Sequence, residues 1–278
     1  MQALGTDADS ESIVMRLPLD RGWAVAAPDY EGPDSQFLGV QMSARGVLDG
    51  LRAARVFKPA DIAPSAPLAL WGYSGGALAS ARAAQLQPSL APELRLAGVA
   101  LGGVVADLKA TFLAFNGGPA GGAVPMALSG LDRSYPDMNI LQYLNGAGRQ
   151  TVAASAHDCI ADGIVRHPFW NIASYESRPD VIDDPGLTAS LTNISPAAMS
   201  LAPTGPLYMY TSQTDEFAPL GPALRLAACY CAAGVTVDQV TDPPTDHVAE
   251  LAVGGPGALT YLADRFAGKA PPSTCPPG

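Results

Sequence analysis

The sequence predicts an α/β fold, with a mostly parallel sheet and a helical cap inserted between two of its strands. Three observations lead there. Short apolar runs alternate with helix-prone stretches, the pattern of parallel βαβ units. One of those runs, Leu68-Ala69-Leu70-Trp71, enters Gly72-Tyr73-Ser74-Gly75-Gly76 directly, and a helix-prone stretch from Ala77 to Leu86 follows. From Asp107 to about Pro203 the strand signals vanish while Gly and Pro rise. That interval is too long for a loop joining two strands of one sheet.

In chain order, Trp23 to Ala27 reads as the first strand and ends at Pro28. Asp29-Tyr30-Glu31-Gly32-Pro33 is the loop at its C-terminal end. Gly39 to Phe57 has helical periodicity, with Val40, Val47, Leu48, Leu51 and Val56 on its apolar side and Lys58-Pro59 as its stop. Leu68 to Trp71 is the next strand, and Leu96 to Leu101 the third, closed by Gly102-Gly103. Leu207 to Thr211 and Val235 to Val240 make the fourth and fifth, joined by a helix from Ala223 to Ala233. The expected division is a core of residues 1–106 and 204–278 and a cap of residues 107–203. Open α/β sheets bind ligands at the C-terminal ends of their strands, so the cap is expected to shape a pocket there. Apolar cap residues such as Phe112, Phe115, Phe169 and Trp170 suit an acyl chain or the cap's own small core.

Composition narrows the function classes. The 278 residues are 48% hydrophobic, enough for a large core. Sixteen basic against 26 acidic residues give a net charge of -10, the wrong sign for a nucleic-acid surface. No apolar run approaches the roughly 18 residues of a membrane span. Met1 is not followed by a basic segment and an apolar stretch, so no signal peptide is read in this chain. The four cysteines, Cys159, Cys229, Cys231 and Cys275, lack metal-ligand spacing, and neither metal nor cofactor is expected. A bridge from the Pro-rich tail at Cys275 to Cys229 or Cys231 would staple that tail and imply an oxidising compartment. Four reduced thiols are the alternative.

The glycine-flanked serine carries the chemistry. A G-x-S-x-G turn between strand and helix is the nucleophile elbow of α/β-hydrolases. It forces the serine into a strained backbone conformation that only small neighbours tolerate. A serine hydroxyl needs a base to take its proton, and the base needs a carboxylate to orient it. Of three histidines, His157 and His167 fall in the cap, leaving His247 in the turn-rich segment after the last strand. Asp215 follows the preceding strand, and Ser74, Asp215, His247 is the chain order of α/β-hydrolase triads. Glu216 is the competing carboxylate, whereas Asp246 is too close to His247 in sequence to reach its Nδ1 well. Gly75, next after the nucleophile, supplies one backbone N–H of an oxyanion hole. The second is sought in the Asp29–Gly32 loop.

Five segments extend the match: Pro28-Asp29-Tyr30-Glu31-Gly32, Leu48-Asp49-Gly50-Leu51-Arg52-Ala53, Gly72-Tyr73-Ser74-Gly75-Gly76, Ala91-Pro92-Glu93-Leu94 and Asn116-Gly117-Gly118-Pro119. In these, from about Gly22 to Cys275, the chain resembles the secretory lipases of the Candida antarctica lipase A type. The resemblance implies an α/β-hydrolase with a mostly helical cap, acting on carboxylic esters and triacylglycerols without a cofactor. It implies Ser74 as nucleophile, Asp215 as acid, His247 as base, the Asp29 N–H as second oxyanion donor, and a Cys231–Cys275 disulfide. Family members carry further residues upstream, with the first strands of the sheet and a cysteine that pairs with the one matching Cys159. The expectation is therefore an N-terminally shortened member, or one closing its sheet differently, whose Cys159 is unpaired. A secreted or extracytoplasmic ester hydrolase is the leading reading. Its substrate is a small-molecule or lipid ester, with transient cap contact at a lipid interface. A catalytically impaired lipid- or partner-binding scaffold is the alternative.

Overall fold

The structure, a computed structural model, describes residues 14–198 and 200–277. Four strands form one sheet, β1 (Leu68–Tyr73), β2 (Leu96–Gly102), β3 (Leu207–Ser212) and β4 (Val237–Asp242), in the order β1-β2-β3-β4. All three pairings are parallel. Parallel neighbours need crossovers. Helix α2 (Gly75–Leu90) joins β1 to β2, and α8 (Leu220–Ala232) joins β3 to β4. Helix α1 (Val40–Val56) precedes β1, and α9 (His247–Phe266) follows β4.

Period-2 alternation along the strands separates two cores. Leu70, Val99, Leu101, Leu207, Met209 and Val237 face α1, α2 and α8. Ala100, Tyr208 and Tyr210 point the other way, onto Ala258, Tyr261 and Leu262 of α9. The strands and crossovers follow the sequence expectations to within a few residues.

One expectation is corrected. Trp23 to Ala27 is not a strand: it has no regular secondary structure, and β1 pairs with β2 alone among the described residues. Its one large anchor, Trp23, packs edge-on against Phe266 of α9, centroids 4.7 Å apart. Residues 24–27 are exposed. A β-rich segment without a neighbouring strand has nothing to exchange hydrogen bonds with, so its propensity goes unused. Helix α9 runs on from the turn-rich segment that ends at His247. Gly254-Gly255-Pro256-Gly257 argues against a helix by propensity, yet the helix runs through it. Its glycines let the backbone lie against the sheet's tyrosines. A Cβ at 254 would be 2.1 Å from Tyr210 Cδ2, and one at 257 would be 2.4 Å from the Tyr208 hydroxyl.

Residues 107–203 hold helices α3 (Leu108–Phe115), α4 (Ala123–Ser134), α5 (Gly146–Ala154), α6 (Ile160–Arg166) and α7 (Pro185–Ile194), with short 3-10 turns between. Their apolar faces form a third cluster around Phe112, Leu128, Leu131, Trp170 and Leu191. Val40 of α1 and Leu78 of α2 join it, so this segment is packed onto the sheet layer. At the other end of the chain, Cys275 is bonded to Cys231 of α8. The tail then runs along β4: Thr274 N–H donates to Val237 O at 2.8 Å, and Gln239 N–H to Thr274 Oγ1 at 2.8 Å. Cys159 and Cys229 are free and exposed. No helix among the described residues is long and apolar enough to cross a membrane.

Candidate active site

Ser74 sits on the turn between β1 and α2 at φ 54°, ψ -119°, a conformation that costs a non-glycine residue about 1–3 kcal/mol. The surroundings hold it there. Its N–H donates to Gly102 O at 2.9 Å, and its carbonyl accepts from Leu78 N–H at 3.0 Å. Gly72 makes the turn possible, because a Cβ at that position would stand 2.1 Å from Gly76 O. With Ser74 as N-cap and no side-chain cap, the first N–H groups of α2, Gly75 among them, point out of the helix end without intrahelical acceptors.

The imidazole of His247 and the carboxylate of Asp215 form a buried pair. They are 4% and 6% exposed, with Nδ1 2.9 and 2.8 Å from the two carboxylate oxygens. Only an N–H on Nδ1 satisfies that contact, which leaves Nε2 as the acceptor nitrogen. Nε2 is buried and has no hydrogen-bond partner among the described residues. Asp215 Oδ1 also accepts from the N–H groups of Phe217 at 2.9 Å and Ala218 at 2.6 Å. Those bonds fix the carboxylate in place.

The competing carboxylates have other partners. Glu216 accepts the backbone N–H of His247 at 3.0 Å. Asp246 is the N-cap of α9, accepting from Ala249 N–H at 2.9 Å. The sequence reading kept Glu216 as a competitor for the ring-orienting role and set Asp246 aside, and the geometry gives each a distinct task.

Several contacts bring His247 to the elbow. The Tyr73 ring lies tilted against the imidazole, 5.0 Å between centroids, and its hydroxyl donates to the His247 carbonyl. Gly103, next to the Gly102 that holds Ser74, is so near the imidazole that a Cβ there would be 2.9 Å from Cε1. Burial, followed by the nearby Asp215 charge, pushes the Tyr73 phenol far up, so it stays a neutral donor. On the other side Phe217 packs at 4.9 Å from the His247 ring, and Phe115 of α3 packs at 4.7 Å from Phe217. The inserted helices thus touch the site.

The Asp29–Gly32 loop lies over the start of α2, with the Tyr30 hydroxyl 3.5 Å from where a Gly75 Cβ would be. The Asp29 side chain is spent on its own turn, accepting Gly32 N–H at 3.1 Å. Burial, then the charge of Asp29, raises the Glu31 carboxyl. The sequence reading passed over Tyr73 as a contributor, treating it only as part of the elbow. Its sole signal is adjacency to Ser74, which cannot show that its hydroxyl reaches a residue 174 positions away. His157 and His167 stay in the inserted segment, and no group of three or more metal-binding side chains occurs among the described residues.

A parallel sheet that presents side chains on the turns after its strands, with helices inserted beside them, defines an α/β-hydrolase. The particular family is as clear: the chain belongs to the secretory lipases, whose family model matches residues 1–274. It is 34% identical to Lipase 4 of Candida albicans over 285 residues, covering 95% of this chain and 60% of that one. It is also 32% identical to a Mycobacterium tuberculosis protein named probable inactive lipase MT1628, covering 96% of this chain and 60% of the relative. The fold superposes on the X-ray structure of Candida antarctica lipase A with TM-score 0.85 and 28% identity, over 95% of this chain and 63% of that one. The chain thus spans about three fifths of the length of the curated relatives it matches.

Proposed function

We propose that the chain is a carboxylic ester hydrolase, a lipase or esterase, with Ser74 as nucleophile, His247 as base and Asp215 as orienting acid. The observation that carries this reading is the buried His247–Asp215 pair beside a serine held at positive φ, with Nε2 left as an unsatisfied acceptor. A buried polar nitrogen without a partner is costly. It has a use if it receives the Ser74 proton.

In the proposed cycle Ser74 Oγ attacks the ester carbonyl while its proton passes to Nε2. The resulting imidazolium is stabilised by Asp215. The N–H groups of Gly75 and Asp29 face the developing oxyanion. Collapse expels the alcohol, which takes the proton from Nε2, and leaves an acyl-serine. Water, deprotonated by the same nitrogen, then releases the acid and regenerates Ser74. No metal or cofactor enters.

Residues 107–203 are the cap and the rest the core in this reading. The Phe115–Phe217 contact beside His247 supports a cap that lines the path of an acyl chain, and a lipid interface would meet that cap. Family membership and the Cys231–Cys275 disulfide support a secreted or extracytoplasmic location. A second reading, a catalytically impaired binding scaffold, is favoured by one observation, the similarity to a relative named a probable inactive lipase.

Hydrolysis of a p-nitrophenyl ester chain-length series by the wild type and Ser74→Ala tests both, alongside fluorophosphonate labelling. The ester-hydrolase reading expects labelled wild type and a fall of about 10⁴-fold or more in the variant. A folded wild type that is neither labelled nor active establishes the scaffold instead.

A further inference from the structure

Two carboxyl groups stand behind the Asp215–His247 pair and take no part in it. Asp242 is the last residue of β4, and Glu250 lies in the first turn of α9. Between them they bracket the segment 243–249, which carries His247. Glu250 is 0% exposed. Neither of its oxygens receives an N–H or O–H from a conventional donor among the described residues, and Asp242 Oδ2 is equally without one. The two carboxyl groups face each other within hydrogen-bonding reach. As anions both are acceptors only and repel. A single proton held between them would satisfy both.

The surroundings reinforce this. Asp215, after β3, is the other charged group acting on Glu250, and it too is acidic. The phenols of Tyr73 on β1 and of Tyr208 and Tyr210 on β3 also feel the Glu250 charge, and burial raises all three. His247, on the same helix as Glu250, is already committed to Asp215. Burial, and next the contact with Asp242, pushes the Glu250 carboxyl up to about 8.

We propose that Asp242 and Glu250 share one proton and form a clasp across the His247 segment, closed while the proton is held and opened when it is lost. Glu250 is then a positioning residue: it sets where the first turn of α9, and with it His247, stands against β4. Release of the proton to solvent leaves two negative charges in contact, one of them on the fully buried Glu250. The catalytic side of this inference rests on the ester-hydrolase reading, and the stability side does not.

The sign follows from linkage. The folded chain keeps a proton that an unfolded glutamate, with its ordinary value of 4.5, has already released. Stability is therefore full in acid and falls as pH rises from the ordinary carboxylate range to about 8. Glutamine at 250 retains an N–H donor for Asp242 and cannot ionise.

The test is thermal melting of wild type and Glu250→Gln from about pH 5 to about pH 9, with kcat/KM profiles on a short, soluble p-nitrophenyl ester. The wild-type Tm is expected to fall over this range, and the Tm advantage of Glu250→Gln to grow. The ratio of kcat/KM at about pH 9 to that at about pH 7 should drop about tenfold in the wild type, as for one ionisation near 8. The variant should not share that drop. Parallel melting curves, or the same alkaline loss in both proteins, overturn the clasp. If Glu250→Gln does not fold, Asp242→Asn should flatten the melting curve in the same way. If neither variant folds, a wild-type Tm that is flat or rising from about pH 6 to about pH 9 overturns the clasp, and a falling one supports it. Because melting needs no substrate, a growing Tm gap in an inactive protein sinks the ester-hydrolase reading and leaves the clasp standing. Parallel melting in an active protein does the reverse.

Discussion

At the residue scale the two adjacent acids Asp215 and Glu216 separate by geometry. Asp215 takes the ring N–H of His247 and is tied down by two backbone N–H groups, while Glu216 takes only the backbone N–H of the same residue. Asp215→Asn presents an amide that can donate to Nδ1, which favours the wrong tautomer and lowers kcat by about 10⁴-fold. Glu216→Gln keeps an acceptor oxygen for the His247 N–H, so its kcat/KM should fall less than about tenfold. Steady-state kinetics on both variants separates the roles. An equal loss would mean that the catalytic carboxylate is not Asp215. Sequence order alone favoured Asp215, because it stands at the strand end. That Glu216 turns back to the chain of His247 depends on the turn holding residues 213–218, and no spacing rule reports that.

At the scale of elements, α9 carries the most consequence. It starts at His247, and its N-cap Asp246 satisfies the Ala249 N–H. Asp246→Ala removes that cap and should cost about 0.5–2 kcal/mol in a urea titration. Fraying the first turn should lower kcat/KM along with it. Gly254 poses a conflict that magnitudes resolve. Propensity alone predicts that Gly254→Ala gains about 1 kcal/mol. The added Cβ, however, would sit 2.1 Å from a ring carbon of fully buried Tyr210. Overpacking of that kind typically costs about 1–3 kcal/mol, so a net loss of stability is expected. A variant more stable than wild type would show that helix and sheet part more easily than their packing suggests. The same conflict explains why α9 was illegible in sequence. Its Gly-Gly-Pro-Gly run reads as a breaker, and only the tyrosines on the opposing sheet face give the small residues a purpose.

Over the whole molecule, the Cys231–Cys275 disulfide ties the C-terminal tail to α8 while the tail bonds to the outer edge of β4. The bridge closes a sequence separation of 44, and removing such a constraint typically costs about 2–4 kcal/mol. Denaturant unfolding with and without reductant, or of the double variant Cys231→Ser with Cys275→Ser, should show a loss in that range. A loss near zero would mean that the hydrogen bonds to β4 hold the tail unaided. Local rules were enough for a good part of this protein. The βαβ alternation specified β1 to β4 with helices α1, α2 and α8, because period and turn chemistry are short-range properties. The order Asp215, His247 picked out two side chains that meet, and the Gly-Tyr-Ser-Gly-Gly turn picked out a serine held at positive φ. Tertiary structure decided what depends on partners distant in the chain. Trp23 to Ala27 stays out of the sheet for want of a neighbouring strand, and α9 forms through four helix-breaking residues because tyrosines of β3 receive its glycines. Half-buried Asp242 and fully buried Glu250, unremarkable as letters, end up facing each other. Propensity belongs to a segment, whereas pairing, close approach and the titration of a carboxyl belong to whatever the fold sets beside it.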